Sequence, residues 1–220
     1  MKTNLSKADA IRIVTAAAKE YKEKLDGKNL LFVCLNEGQI ETFETLFRGS
    51  NFQHLTGIEM IDADNKALKN PKFFYSKCLK GKLKETEIRF KEDGTTELKL
   101  NAITSVVRYI DKSKMTGPFN GTGLQLVVDR LVGTTSYCIG LTMEGNYYAP
   151  SSCLLEDVRK LTNPWSRILA VFEKQATSEE KEYTSLRYVA KDYTFSNEQM
   201  PAGISEITDI FQNQVDKKHS

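Results

Sequence analysis

The sequence predicts an α+β fold in which N-terminal helices pack on a mainly antiparallel sheet. Three observations lead to this prediction. An amphipathic helix opens the chain, two short strands joined by a tight turn follow it, and the second half contains hairpins without alternating helices. Strands joined by tight turns pair antiparallel, whereas a parallel sheet needs a long crossover between neighbouring strands.

The first helix is predicted from Ser6 to Gly27. Apolar residues recur there at helical spacing, and Ser6 and Gly27 are a good N-cap and a good stop. Residues 29–35 form a short apolar run, which is typical of a buried strand. Residues 40–47 alternate between apolar and polar side chains, as a half-buried strand does. The NEGQ segment between them predicts a hairpin.

Further helices are predicted in the middle of the chain. Residues 62–64 can cap a short helix, and residues 70–81 begin with an asparagine cap and a first-turn proline. Residues 100–110 place apolar side chains on one helical face.

The second half of the chain is predicted to be rich in strands. Two hairpins are expected over residues 123–143 and 166–190, because apolar runs there are separated by turn residues. Residues 204–215 can form a short amphipathic helix. We therefore expect one domain over residues 1–200, followed by a helical extension and a frayed tail over residues 201–220.

The composition is that of an ordinary globular protein, with 40% hydrophobic and 27% charged residues in a chain of 220. No stretch approaches the roughly 18 consecutive apolar residues of a membrane-spanning helix. We therefore expect a cytoplasmic protein with no membrane partner.

The cysteine and histidine content argues against a metal site. The four cysteines, Cys34, Cys78, Cys138 and Cys153, are widely separated and form no CxxC pair. In a protein with a sizeable core, such residues act as small hydrophobic side chains. One of the two histidines lies in the terminal KKHS, so zinc would need scattered ligands of mixed type. We predict no metal site built on these residues, and no cofactor.

Basic residues are concentrated in one segment. The formal net charge of the chain is only +2, yet residues 66–84 contain seven lysines and no acidic residue. Such a segment is typical of a surface that faces a polyanion. The alternative is a solvated helix face that is rich in lysine.

His54, in the segment NFQHLTG, is the best candidate for a catalytic residue. It is predicted to lie just past a strand end, where an imidazole with a pKa of about 6.5 can exchange a proton near neutral pH. Thr56 and Gly57 follow, and a hydroxyl together with backbone N–H groups in a tight turn can bind a phosphate. The alternatives are a structural or surface histidine and an ordinary turn.

The segment YYAPSSCLLEDVRK is the second candidate constellation. Pro150 is expected to stop a strand, and Ser151 or Ser152 can cap a helix. In the functional interpretation, Ser152 and Tyr148 instead present hydroxyls to a phosphate near His54. A Ser–His hydrolase is disfavoured because the chain has no GxSxG elbow.

Several blocks of the chain resemble a known family. NFQHLTGI, FFYSKCLKGKL, the helix that begins at LKL and YYAPSSCLLEDVRKL resemble the fourth group of phage-type barnase–EndoU–colicin–RelE-like nuclease domains, which occur on phages and conjugative elements. The resemblance implies N-terminal helices on a curved, mainly antiparallel sheet and a metal-independent ribonuclease activity. His54, Thr56 and Ser152 fall on the histidine, threonine and serine of the family's blocks.

Two functions follow as hypotheses. The first is a toxin-like ribonuclease of a phage or mobile element, acting on RNA such as tRNA or another structured RNA. His54 is its general acid or base, Thr56 and Ser152 are phosphate ligands, and the substrate is bound by Tyr148, Ser151, Lys77, Lys80, Lys82 and Arg108. Arg108 has the alternative of lying along the helix surface.

The rival hypothesis is a phage protein that binds without catalysis. Such a protein would sequester a nucleotide or block a host partner, either a defence or a translation component. Its surface is expected to be aromatic, around Phe73, Phe74, Tyr147 and Tyr148.

Overall fold

A computed structural model of the chain describes residues 5–121, 126–177, 182–183 and 185–193. Four α-helices and ten strands lie within these ranges. The helices are α1 (Lys7–Lys24), α2 (Phe52–Thr56), α3 (Pro71–Leu79) and α4 (Thr95–Tyr109). The strands are β1 (Lys28–Asn36), β2 (Gln39–Phe47), β3 (Ile58–Met60), β4 (Ile88–Phe90), β5 (Met115–Pro118), β6 (Arg130–Gly133), β7 (Cys138–Glu144), β8 (Tyr147–Leu154), β9 (Ser166–Gln175) and β10 (Ser185–Val189).

The first helix forms as its sequence predicts. The Ser6 hydroxyl accepts a hydrogen bond from the Asp9 backbone N–H and so caps the N-terminus of α1. One face of the helix is buried, at Ala10, Val14, Ala17, Ala18 and Tyr21. The chain then turns at Gly27, whose φ of +77° lies in the left-handed region that glycine adopts without strain.

The predicted hairpin of β1 and β2 is also confirmed. The two strands pair antiparallel over their full lengths, from Lys28 opposite Phe47 to Asn36 opposite Gln39. Strand β1 is buried on both faces from residue 29 to residue 34. It is covered on both edges as well, because β9 pairs with its other side.

The mixed α+β class is confirmed, but the sheet is not simply curved. Seven strands close into a barrel in the order β1-β2-β8-β7-β6-β5-β9, and β9 pairs back with β1. The ring closes because the ten-residue β9 reaches both β1 and β5, and because β2 meets β8 in a parallel pairing of Thr45 with Tyr148. The other six pairings of the ring are antiparallel. Strand β10 adds to β9 outside the ring.

The core is continuous between the helices and one face of the barrel strands. Phe32, Val132, Ile139 and Ile168 belong to the same hydrophobic cluster as the buried faces of α1 and α4. The opposite face of β1 belongs to a second cluster with β9 and β10. Burial of both faces explains why β1 and the middle of β9 are nearly continuous apolar runs.

The expectation that Pro150 ends a strand is wrong. Strand β8 runs through Pro150 to Leu154, and neither Ser151 nor Ser152 caps a helix. The register against β7 shifts between Gly140 and Leu141, so β8 carries an extra residue beside the proline. Such a bulge accommodates a residue that has no N–H for the ladder.

Strands β3 and β4 form a small separate sheet beside α3. Asn70 caps α3 as predicted, by accepting a hydrogen bond from the Phe73 N–H. The short helix expected after residues 62–64 is absent from the described chain. The Asp62 carboxylate instead accepts hydrogen bonds from the Asp64 and Lys66 N–H groups and closes a turn.

Two further predictions concern the ends of the chain. The helix expected over residues 204–215 and the domain boundary expected at residue 200 lie outside the described residues. None of the described helices is both long enough and apolar enough to cross a membrane.

Candidate active site

His54 lies at the edge of a pocket of about 360 Å³. It belongs to α2 and lies seven residues after β2 ends, whereas we expected it just past the end of the strand. Its side chain is exposed. Charged and apolar residues line the rest of the pocket, including Glu59, Lys69, Lys91, Ile58, Met60 and Leu68. The site therefore combines one imidazole, two ammonium groups and one carboxylate at a concave surface.

The local sequence explains why the imidazole points outward. Phe52 and Leu55 are fully buried, three positions apart on one side of α2, and His54 is on the other side. The Phe52 ring packs against the rings of Tyr21 and Tyr75, with centroids 5.3 and 5.2 Å away. This aromatic packing anchors the helix to α1 and α3 and holds His54 at the surface.

The C-terminal carbonyls of α2 are bound by the neighbouring elements. The Lys99 ammonium of α4 donates a hydrogen bond to the His54 carbonyl oxygen at 2.8 Å. The Cys153 thiol of β8 donates to the Leu55 carbonyl at 3.1 Å. A short helix has few internal hydrogen bonds, so these external donors satisfy groups that the helix leaves free.

Gly57 permits the close contact between α2 and α4. Its φ is +67°, and a Cβ at this position would lie 2.9 Å from the Thr96 Cα. The Thr96 hydroxyl also donates to the Gly57 carbonyl at 2.7 Å. Glycine is therefore required both by backbone conformation and by space.

The surroundings of His54 favour its neutral form. Partial burial of the imidazole lowers its pKa below the usual 6.5, and the positive charges of Lys99 and Lys91 lower the pKa further. Glu144 acts weakly in the opposite direction. Burial also lowers the pKa of Lys99, which is 8% exposed. At neutral pH, His54 is consequently ready to accept a proton.

We expect the His54 imidazole to titrate below pH 6.5 in the folded protein. Lys91→Gln removes a positive charge and should raise this pKa, whereas Glu144→Gln removes a negative charge and should lower it. The imidazole proton resonances, followed by NMR from pH 4.5 to pH 8.5, measure both changes.

A His219→Ala background leaves His54 as the single histidine, so its resonance needs no further assignment. A titration at or above pH 6.5, or equal shifts in both charge variants, would contradict this electrostatic account.

Thr56 is placed in a structural position. Its side chain is fully buried, and its hydroxyl donates to the Gln53 carbonyl at 2.8 Å and accepts from the Ile58 N–H at 3.0 Å. Both hydrogen-bonding roles are used inside the turn. The hydroxyl therefore does not face the pocket as the phosphate ligand that we expected.

Ser152 is not brought to His54 either. Its neighbour Cys153 contacts α2, and successive side chains of a strand point to opposite faces. The Ser152 hydroxyl is buried and has no hydrogen-bond partner. Ser151 is the extra residue of the bulge, and its hydroxyl accepts from Thr142 at 2.9 Å and donates to the Gly140 carbonyl at 3.3 Å.

The expected substrate-binding cations are dispersed. Arg108 forms two hydrogen bonds, of 2.9 and 3.2 Å, with the carboxylate of Glu20 on α1. Lys77 pairs with Glu87. Lys80 and Lys82 are exposed beyond the end of α3. None of the four lines the His54 pocket, which takes only Lys69 from the lysine-rich segment.

The aromatic surface expected for a binding protein is not assembled. Phe73 is exposed, but Phe74 is fully buried. Tyr147 and Tyr148 are half-buried and belong to β8, and Tyr148 packs edge-on against Phe43 at 5.6 Å between centroids. Tyr148 therefore packs against Phe43 and does not line the His54 pocket.

Lys91 and Lys99 were not predicted as site residues. Lys91 reaches the pocket because it follows β4, which pairs with β3 directly after Gly57. A prediction that the GIEM and EIRF segments pair as antiparallel strands would have found Lys91. Lys99 is a lysine on the otherwise apolar face of α4, and that position is itself a sign of a specific contact.

All four cysteines are buried free thiols, and burial raises the pKa of each to about 12. Within the described ranges, no group of three or more His, Cys, Asp or Glu side chains is arranged to hold a metal ion.

Comparison with known proteins identifies the family. The family model described as phage-Barnase-EndoU-ColicinE5/D-RelE like nuclease 4 matches residues 13–192. No curated protein matches the chain, and no solved structure does. The match includes α2, its histidine and every barrel strand. This chain therefore belongs to the phage-type barnase–EndoU–colicin–RelE-like nuclease family, in its fourth group.

Proposed function

We propose that the protein is a metal-independent ribonuclease that cleaves RNA at the His54 pocket. The observation that supports this proposal is the exposed imidazole of His54, whose pKa is lowered, beside the lysines of the same pocket. The family match supports a nucleic acid as the substrate. A phage or mobile element would deliver the activity to the cytoplasm of its host.

In this proposal neutral His54 is the general base. It takes the proton from the ribose 2′-OH, and the 2′-oxygen attacks the adjacent phosphorus. The bond to the 5′-oxygen of the next nucleotide breaks, and the imidazolium returns a proton to that oxygen. The products are a 2′,3′-cyclic phosphate and a free 5′-OH, so atoms and charge balance.

In this proposal Lys69 and Lys91 bind the scissile phosphate. Both line the pocket with His54. Positive groups beside the scissile phosphate stabilise the extra negative charge of the phosphorane. Thr56 and Lys99 act indirectly, because their hydrogen bonds shape α2 and its connection to α4.

The experiment is incubation of the purified protein with total RNA and with a defined structured RNA in the presence of EDTA. We expect fragments that end in a 2′,3′-cyclic phosphate. No cleavage under any tested condition would overturn the proposal, and RNA binding without cleavage would support the rival binding function. Cleavage that occurs only after addition of a divalent cation would overturn the metal-independent mechanism.

The two pocket lysines should contribute to the salt dependence of RNA binding. With cleavage blocked by His54→Ala, we expect Lys69→Ala and Lys91→Ala each to weaken binding of single-stranded RNA. Each should reduce the slope of log affinity against log salt by roughly 0.7. Fluorescence anisotropy of a labelled oligonucleotide from 50 to about 300 mM salt measures the slope.

Lys19→Ala is the matched control, because Lys19 is an exposed lysine of α1 that does not line the pocket. Equal slopes for the pocket variants and for Lys19→Ala would assign RNA docking to another surface.

A further inference from the structure

Arg130 is a half-buried cation without an acidic partner among the described residues. Its guanidinium carbon lies 4.6 Å from the ring centroid of Phe43 and 5.5 Å from that of Tyr148. Nη1 donates a 3.3 Å hydrogen bond to the Thr116 hydroxyl. The Nε atom is buried and has no hydrogen-bond partner. A half-buried cation is screened by less water than a fully exposed one, so it attracts anions more strongly.

The contacts of Arg130 cross the inside of the barrel. Its strand β6 and the strand β2 of Phe43 are separated by β7 and β8 in the ring. Neighbouring strands are about 4.8 Å apart, so three steps around the sheet span roughly 14 Å. The guanidinium and the Phe43 ring nevertheless lie 4.6 Å apart, so the two side chains converge over β7 and β8. Side chains of a closed sheet converge on its inner face and diverge on its outer face, which places this contact inside the ring. Arg130, Phe43 and Tyr148 are each partly exposed, so the interior is open to solvent at this point.

Two further groups bear on the charge and the hydrogen bonding at this opening. Thr45 pairs with Tyr148 where β2 meets β8, and its hydroxyl is buried without a hydrogen-bond partner. Glu41 interacts electrostatically with Cys34, as Arg130 does. The Glu41 carboxylate accepts a hydrogen bond from the Asn36 side chain at 2.9 Å and forms no ion pair with Arg130.

We propose that Arg130 binds a phosphate group of the RNA strand at the open end of the barrel, as a second site apart from the His54 pocket. The aromatic rings of Phe43 and Tyr148 hold the planar guanidinium, and its remaining N–H groups match two oxygens of one phosphate. This proposal depends on the proposed ribonuclease function only where it names RNA as the ligand. Phosphate binding itself does not require cleavage.

The test is a titration of protein labelled with ¹⁵N-arginine, observed by NMR at the arginine Nε–Hε groups. The Arg130 resonance is assigned by its loss in Arg130→Lys. The probes are inorganic phosphate, adenosine 5′-monophosphate and a short single-stranded RNA, each compared with sodium chloride at equal ionic strength. We expect a saturable shift of the Arg130 resonance with each probe. Arg130→Gln should weaken binding of the mononucleotide by at least about tenfold.

Arg12→Gln is the control, since Arg12 is an exposed arginine of α1 that forms an ion pair with Asp9. No saturable shift in the wild-type protein would overturn the proposal, even where Arg130→Gln fails to fold. Unchanged affinity in a folded Arg130→Gln variant would overturn it as well. A shift with phosphate but none with RNA would assign the site to small phosphate compounds and overturn its role in RNA binding.

The same titration in His54→Ala separates this site from the proposed cleavage. Retained shifts at Arg130 are expected there. If the wild-type protein cleaves no RNA, the proposed function fails, while saturable binding at Arg130 would still stand as a phosphate site.

Discussion

His54→Ala is expected to reduce RNA cleavage by a factor between about 10² and 10⁴, the usual contribution of one general acid or base. The imidazole is exposed and is not part of the core, so its removal should leave the fold intact. The initial rate of cleavage of a defined RNA in EDTA, at a substrate concentration well below KM, measures the effect. Circular dichroism confirms that the variant is folded.

His219→Ala is the matched control, since it removes the other histidine of the chain. The wild-type rate should fall as the solution is acidified below pH 6.5, because protonation of His54 removes the base. A His54→Ala variant with more than about a tenth of the wild-type rate would exclude His54 as the proton acceptor.

Gly57→Ala is expected to lower the free energy of unfolding by roughly 2–5 kcal/mol. A left-handed backbone costs a non-glycine residue about 1–2 kcal/mol. Forcing extra volume into a packed site costs about 1–3 kcal/mol more. The new Cβ would meet the Thr96 backbone at 2.9 Å, where no flexible side chain can move aside. Urea denaturation followed by circular dichroism measures the change.

Gly145→Ala provides the comparison. Gly145 has nearly the same φ, +65°, but a Cβ there would meet nothing within 4 Å. This variant should show only the backbone cost of about 1–2 kcal/mol. Equal destabilisation by both substitutions would show that the approach of α2 to α4 does not constrain residue 57.

The elements that were predicted correctly depend on neighbours in sequence. Helix α1, the β1–β2 hairpin and α3 each carry their periodicity, caps and turn residues within a few positions. Closure of the barrel could not be predicted in this way. It depends on the meeting of Thr45 with Tyr148 and on the length of β9, and both are set by packing of distant segments.

The candidate site was also predicted only in part: the sequence singled out His54 but not Lys91. His54 was conspicuous by its rarity and its motif, and it does lie at a pocket. Lys91 joins it only through the pairing of β3 with β4. Ser152 was expected beside His54, but the bulge in β8 sets which side chains face α2, and Cys153 takes that position. After an inserted residue, the pattern of neighbouring residues does not show to which face of the sheet each side chain points.

Closure of the ring also bears on self-association. An open sheet presents two edges whose unpaired N–H and C=O groups can recruit another chain and begin aggregation. Here β2 and β8 would be such edges, and their single parallel pairing joins them. Among the described residues, the large sheet keeps one strand with a single partner, the five-residue β10, which carries Arg187. A short edge that carries a charged side chain is a poor template for pairing with a further strand.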